Sequence, residues 1–167
     1  MRHILNSGSK SGTALTDAVT YQMKPELGPS FFPTWQGIPP GMPAGDLQIW
    51  LRYRDVGLSL WHRMYFNVRI GDPIFLEENY PEEIREMAQA LSRRRIDVVG
   101  ETMITWYLIE LKYNAGTEAL GQILMYRALW ESDPPDNRLV KLFIITDRAN
   151  KDLSAVCPIY GVELVVV

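Results

Sequence analysis

Arg95-Ile-Asp97-Val-Val-Gly-Glu101, Thr105-Trp-Tyr-Leu-Ile-Glu110-Leu-Lys112 and Gly121-Gln-Ile-Leu-Met-Tyr126 are the segments that decide the fold of this chain. The first two are runs of β-branched and aromatic residues with a turn between them. They predict a hairpin with strands over Arg94–Val99 and Thr105–Lys112 and a turn at Gly100–Ile104. Residues two apart on a strand share a face, so Glu110 and Lys112 point the same way. Gln122 and Tyr126, four apart, share one face of the helix predicted from about Glu118 to Glu131.

On the N-terminal side, Asp46 reads as the cap of a helix running to about Asp55, with Leu47, Trp50, Leu51 and Arg54 spaced for one face. His62–Ile70 alternates and ends at Gly71-Asp72-Pro73, a strand followed by a turn. Pro81 suits the first position of a helix, Glu82 and Glu83 favour its positive end, and Ile84, Met87, Ala88 and Leu91 form its stripe. On the C-terminal side, Leu139–Thr146 is almost continuously apolar, the pattern of a strand covered on both faces. A brief helix near Arg148–Ala155 and a strand over Val162–Val167 follow. The order α-β-α-β-β-α-β-α-β predicts an α/β fold, a mixed central β-sheet flanked by helices.

The 167 residues, 47% hydrophobic and 22% charged, suit one folded domain with an appended arm. With 17 basic and 20 acidic residues the net charge is -3, so a nucleic-acid partner would have to meet a local basic patch. Cys157 is the only cysteine, which excludes an intramolecular disulfide and a cysteine-only zinc site. His3 and His62 lack partners at metal-ligand spacing. No apolar run is long enough to span a bilayer and Met1–Gly12 lacks a signal-peptide core. These features predict a soluble intracellular protein with no membrane partner.

A composition boundary falls near Gly45. Before it stand Pro25, Pro29, Pro33, Pro39, Pro40 and Pro43, with Tyr21, Phe31, Phe32, Trp35 and Ile38 among them. Proline blocks both helix and ladder, while aromatic residues are scarce in disordered linkers. Residues 1–45 therefore read as an extended arm lying on its own domain or on a neighbouring subunit, and residues 46–167 as the folded domain.

Asp97 sits among Ile96, Val98 and Val99, where a carboxylate is costly unless compensated. Asp97 and Glu110 could hold Mg²⁺ through oxygen ligands, with Lys112 acting on water or phosphate. Alternatively, Asp97, Glu110 and Lys112 could form an ion-paired sheet cluster.

The strand Asp, the Glu-x-Lys on the next strand and the Gln-x-x-x-Tyr on the following helix resemble the PD-(D/E)xK nuclease superfamily, with its restriction-endonuclease-like fold. The resemblance covers about Asp46–Val167, with the specific motifs confined to Asp97–Tyr126. It implies a Mg²⁺- or Mn²⁺-dependent nuclease acting on nucleic acid, with DNA the expected substrate. Asp97, Glu110 and the Leu111 carbonyl would be the metal ligands. Asp97, Glu110 and Lys112 would be the catalytic set, with Lys112 positioning or activating the attacking water. Gln122 and Tyr126 would support the site or touch the nucleic-acid backbone, and Arg94 and Arg95 would face phosphate. Many members carry another acidic residue on the helix before the first strand, for which Asp55 is the nearest candidate, followed by Asp46 and Glu86. Ile96 occupies the position where the pattern has proline.

Arg93, Arg94 and Arg95, with Arg85 and Arg127, could make a phosphate-facing patch or a solvated helix end. Trp35-Gln-Gly-Ile-Pro-Pro-Gly-Met-Pro43 also resembles small uncharacterised proteins encoded by tailed bacteriophages. That resemblance implies the host cytoplasm or the virion as location. It also supplies an alternative role, a non-catalytic virion or neck component that binds neighbours or a second copy through residues 1–45.

Overall fold

The computed structural model describes residues 23–57 and 61–167. Expectations resting on Tyr21 and the rest of residues 1–22 lie outside the described residues. The elements are α1 (Ala44–Gly57), β1 (Arg63–Ile70), α2 (Glu82–Ser92), β2 (Arg94–Glu101), β3 (Thr105–Ala115), α3 (Thr117–Ser132), β4 (Leu139–Ala149), α4 (Lys151–Val156) and β5 (Val162–Val166). The strands form one five-stranded sheet in the order β1-β2-β3-β4-β5. β1, β2 and β3 run antiparallel in turn, whereas β3, β4 and β5 are parallel. The protein is therefore α/β with a mixed sheet flanked by helices, as the order of elements predicts.

Each face of the sheet has its own core. Tyr65, Ile96, Val99, Trp106, Leu108 and Ile144 pack against Ala119, Ile123, Tyr126 and Trp130 of α3. Met64, Phe66, Val98, Ile109, Leu111 and Ile145 pack against Ile49, Trp50 and Tyr53 of α1. Helices thus cover both sides of β3 and β4, which explains their unbroken apolar runs.

β3 and β4 extend beyond the limits their apolar runs suggest, because Asn114 pairs in register with Arg148 and Ala115 with Ala149. Polar residues remain in a ladder where a parallel neighbour supplies the hydrogen bonds. β4 ends at Ala149, and the side chain of the next residue, Asn150, accepts from the Leu153 N–H at 2.7 Å and caps α4.

The described part of the arm lies along the edge of its own β1. Glu26 bridges Arg69 and Phe31 bridges Met64, both antiparallel. Phe31 and Trp35 approach at 4.4 Å, and each lies within 6 Å of Phe66, at 5.3 and 5.9 Å. Arg93 fastens the segment. It is buried, and its guanidinium donates to the carbonyls of Lys24, Gly71 and Arg69 and to the Glu26 carboxylate.

Gly100 shows how tightly the α1-side core closes. A Cβ there would lie 2.8 Å from the Trp61 indole, which is itself held by Trp50 at 6.3 Å and Tyr107 at 5.8 Å. Gly100→Ala is expected to cost about 1–3 kcal/mol through overpacking. For a chain of this size that lowers Tm by about 2–4 °C per kcal/mol, readable by thermal denaturation.

Candidate active site

The candidate residues converge where β2 and β3 part. Their register runs from Glu101↔Trp106 to Val98↔Ile109, and one further step would set Asp97 opposite Glu110. There the backbone ladder stops, and Asp97 Oδ2 accepts the Leu111 N–H at 2.8 Å. A carboxylate has replaced a backbone carbonyl as the acceptor, which brings the Asp97 side chain onto β3 beside Glu110.

The Glu110 side chain is 4% exposed and interacts directly with Asp97 and with the Tyr126 hydroxyl. Its Oε2 nevertheless has no hydrogen-bond partner of good geometry. Burial, then repulsion from Asp97, pushes the Glu110 carboxyl well above the ordinary range, against the pull of Lys112. Burial also raises Asp97, opposed first by the Leu111 hydrogen bond. Two carboxyls buried side by side cannot both ionise freely. The pair therefore holds a proton at neutral pH unless a cation replaces it.

Lys112 reaches across the mouth of the site. Its Nζ donates to Gln122 Oε1 at 3.2 Å and lies 3.7 Å from Glu110 and 3.6 Å from Glu118. α3 thus presents Glu118, Gln122 and Tyr126 toward the strand residues. Tyr126 is buried, and desolvation followed by the Glu110 charge pushes its phenol upward. The i, i+4 spacing of Gln122 and Tyr126 divides their tasks, one meeting Lys112 and the other Glu110.

Asp46, rather than Asp55, is the α1 acid within electrostatic reach of the site. Asp46 raises Asp97, and its own carboxyl is pushed up by burial, against the pull of Lys112. α1 starts at Ala44, so Asp46 lies inside its first turn rather than at the cap, and Asp55 is exposed beside Arg54. Glu118 and Asn67 are two neighbours that periodicity alone did not single out. A short i, i+4 reading of α3 from Gln122 would have reached Glu118.

The basic cluster separates. Arg94 is exposed and close enough to Tyr126 to affect it electrostatically. Arg95 is half-buried and pairs in register with Arg69. Arg93 is buried and committed to the arm, so it belongs neither to a phosphate-facing patch nor to a solvated helix end. Arg127 bonds the Tyr160 carbonyl at 3.3 Å, and Arg85 Nε is buried without a partner.

Among the described residues, no three His, Cys, Asp or Glu side chains gather closely enough to hold a metal by themselves. Mg²⁺ does not need that many, since it keeps several waters and commonly takes one or two carboxylates. The all-oxygen set of Asp97 and Glu110, two buried carboxyls side by side, fits such an ion.

No family model matches the chain, and no curated protein matches its sequence. The crystal structure of AF1548, a protein of unknown function, aligns with 72% of this chain and 56% of its own, at 14% identity and a TM-score of 0.44. The chain thus spans just over half the length of that protein, and the likeness carries no argument about function. Among the described residues, no helix is long and apolar enough to cross a membrane.

Proposed function

We propose that the protein is a metal-dependent nuclease that hydrolyses phosphodiester bonds, with DNA as substrate. The observation that carries the reading is the buried Asp97–Glu110 pair, two carboxyls side by side with a single lysine 3.7 Å from one of them. A purely structural ion pair would need only one carboxylate for one lysine.

Asp97, Glu110 and the Leu111 carbonyl would hold Mg²⁺ or Mn²⁺. When bound, such an ion lowers the pKa of water and offsets negative charge at phosphorus. The chain's own contribution follows from the positions of its side chains. Gln122 holds the Lys112 ammonium at the mouth of the site, where it can orient the attacking water and stabilise charge developing on a phosphate oxygen. Tyr126 fixes Glu110 from the α3 side, and Arg94 can meet phosphate at the exposed end of β2.

The test is incubation of the full chain with duplex DNA, single-stranded DNA and RNA, with Mg²⁺ and with excess chelator. Cleavage of at least one DNA form that stops with chelator is expected. Intact DNA at saturating Mg²⁺ would remove the assignment. The alternative is a non-catalytic assembly part that grips neighbours through residues 1–45. For the described arm, Phe31 and Trp35 pack on Phe66 of the same chain, whereas Phe32 and Ile38 are exposed.

A further inference from the structure

Asn67 is the only non-glycine residue with positive φ among the described residues, at 56°. Asparagine tolerates that left-handed region better than most side chains, but in mid-strand it interrupts the pleat. The interruption falls at a particular place. β1 and β2 pair Phe66 with Val98 and Val68 with Ile96, so the register sets Asn67 opposite Asp97 while the pair itself is absent from the ladder.

Both strands also change face at this point. Phe66 lies in the α1-side core and Val68 in the α3-side core. Ile96 lies in the α3-side core and Val98 in the α1-side core. Residues two apart normally share a face, so alternation breaks at Asn67 and at Asp97 together. In an unbroken pleat, Asp97 would occupy an ordinary position opposite its neighbour on β1. With the break, its carboxylate comes across to the Leu111 N–H.

The arm closes the other side. Pro40, Gly41, Met42, Pro43, Asn67 and Asp97 line a small recess. Gly41 has φ 69°, and a Cβ added to it would stand 2.5 Å from the Asn67 amide nitrogen. The arm backbone can approach Asn67 this closely because residue 41 has no side chain.

We infer that Asn67 is a positioning residue for Asp97 and that the Gly41 loop of the arm holds it in place, which makes the arm part of the site. This inference rests on the nuclease reading through its metal pair, and its test uses metal binding rather than turnover. Mn²⁺ affinity of the full chain is measured by electron paramagnetic resonance for wild type, Asn67→Gly, Asn67→Val and Gly41→Ala, each with its thermal melt. Glycine keeps the left-handed backbone, so Asn67→Gly should bind Mn²⁺ within about threefold of wild type. Valine cannot adopt it readily, and supporting groups of this kind are worth about 10–100-fold in metal affinity. Asn67→Val should therefore weaken binding at least about tenfold. Gly41→Ala should weaken it in the same direction, and Asn67→Ala, smaller but also averse to the left-handed region, takes the place of the valine variant if that one does not fold.

Wild-type affinity in Asn67→Val overturns the proposal, as does an equal loss in Asn67→Gly and Asn67→Val. Wild-type affinity in Gly41→Ala overturns the role of the arm. Asp97→Ala separates this inference from the reading beneath it. If Asp97→Ala still binds Mn²⁺, the metal pair itself is wrong. If Asp97→Ala loses the ion and Asn67→Val keeps it, only the positioning role falls.

Discussion

Lys112→Ala is expected to reduce Mg²⁺-dependent DNA cleavage by about 10²–10³-fold, the range found when one preorganised charge-stabilising donor is removed. Mn²⁺ affinity should change little, because the ammonium is not a ligand. Asp97→Ala should lose both cleavage and Mn²⁺ binding. The contrast depends on how Lys112 is held. Its ammonium is shared among Gln122, Glu110 and Glu118 at 3.2, 3.7 and 3.6 Å, and its side chain keeps 32% of its surface exposed. Removing it leaves no void in either core, so the melt should stay within a few degrees of wild type. Lys112→Arg should not restore full rate, since a planar guanidinium cannot replace a compact ammonium at a site built around one. A Lys112→Ala variant that cleaves at the wild-type rate would confine this lysine to ion pairing.

The second large effect is on stability. Glu110 is pushed up to about 8 by burial and by Asp97, far above the ordinary carboxylate range. Between those values the folded chain holds a proton that the unfolded chain has released. The unfolded state then binds fewer protons, so stability falls as pH rises. In chelator, wild type should lose about 2–4 kcal/mol between pH 5 and pH 8.5, less than the full shift implies because the pair shares its proton. Glu110→Gln removes the charge that must be buried. Its melt should vary much less over this interval and lie several degrees above wild type at the alkaline end. Saturating Mg²⁺ should stabilise wild type most at alkaline pH and leave Glu110→Gln nearly unchanged. A wild-type melt that rises with pH over the same interval would contradict a raised Glu110.

The two predictions meet at Glu110, the carboxylate beside Lys112. If the Asp97–Glu110 pair holds a cation, the same pair burdens the cation-free fold, so Glu110→Gln should lose the site and gain stability at alkaline pH. That trade is common where function requires like charges to be buried together.

The fold was legible wherever local pattern and tertiary demand agreed. The stripe of α2 does not enter a core, with Ile84, Met87 and Leu91 exposed. The existence of α2, the hairpin over β2 and β3 and the apolar run of β4 all followed from period and punctuation. The ends of β3 and β4 did not, because Asn114 and Arg148 are strand residues only through their pairing with each other's strands. In the site, Glu110 and Lys112 share a face by strand period, and Gln122 and Tyr126 share one by helix period, so both pairs could be placed in advance. Asp46 could not, since its reach toward Asp97 depends on how α1 crosses the sheet. Asn67 was hidden for a different reason. Its sequence neighbours Phe66, Val68 and Ile70 read as one face of an ordinary strand, and only the structure, through the left-handed backbone and the change of core on both strands, shows the turn-over at that point.

The most direct test of the account is an anomalous difference map from a crystal of the full chain soaked in Mn²⁺. A peak is expected between the carboxylates of Asp97 and Glu110, absent from an Asp97→Ala crystal treated in the same way. A well-ordered site with no peak at saturating Mn²⁺, or a peak only at other residues, would contradict it.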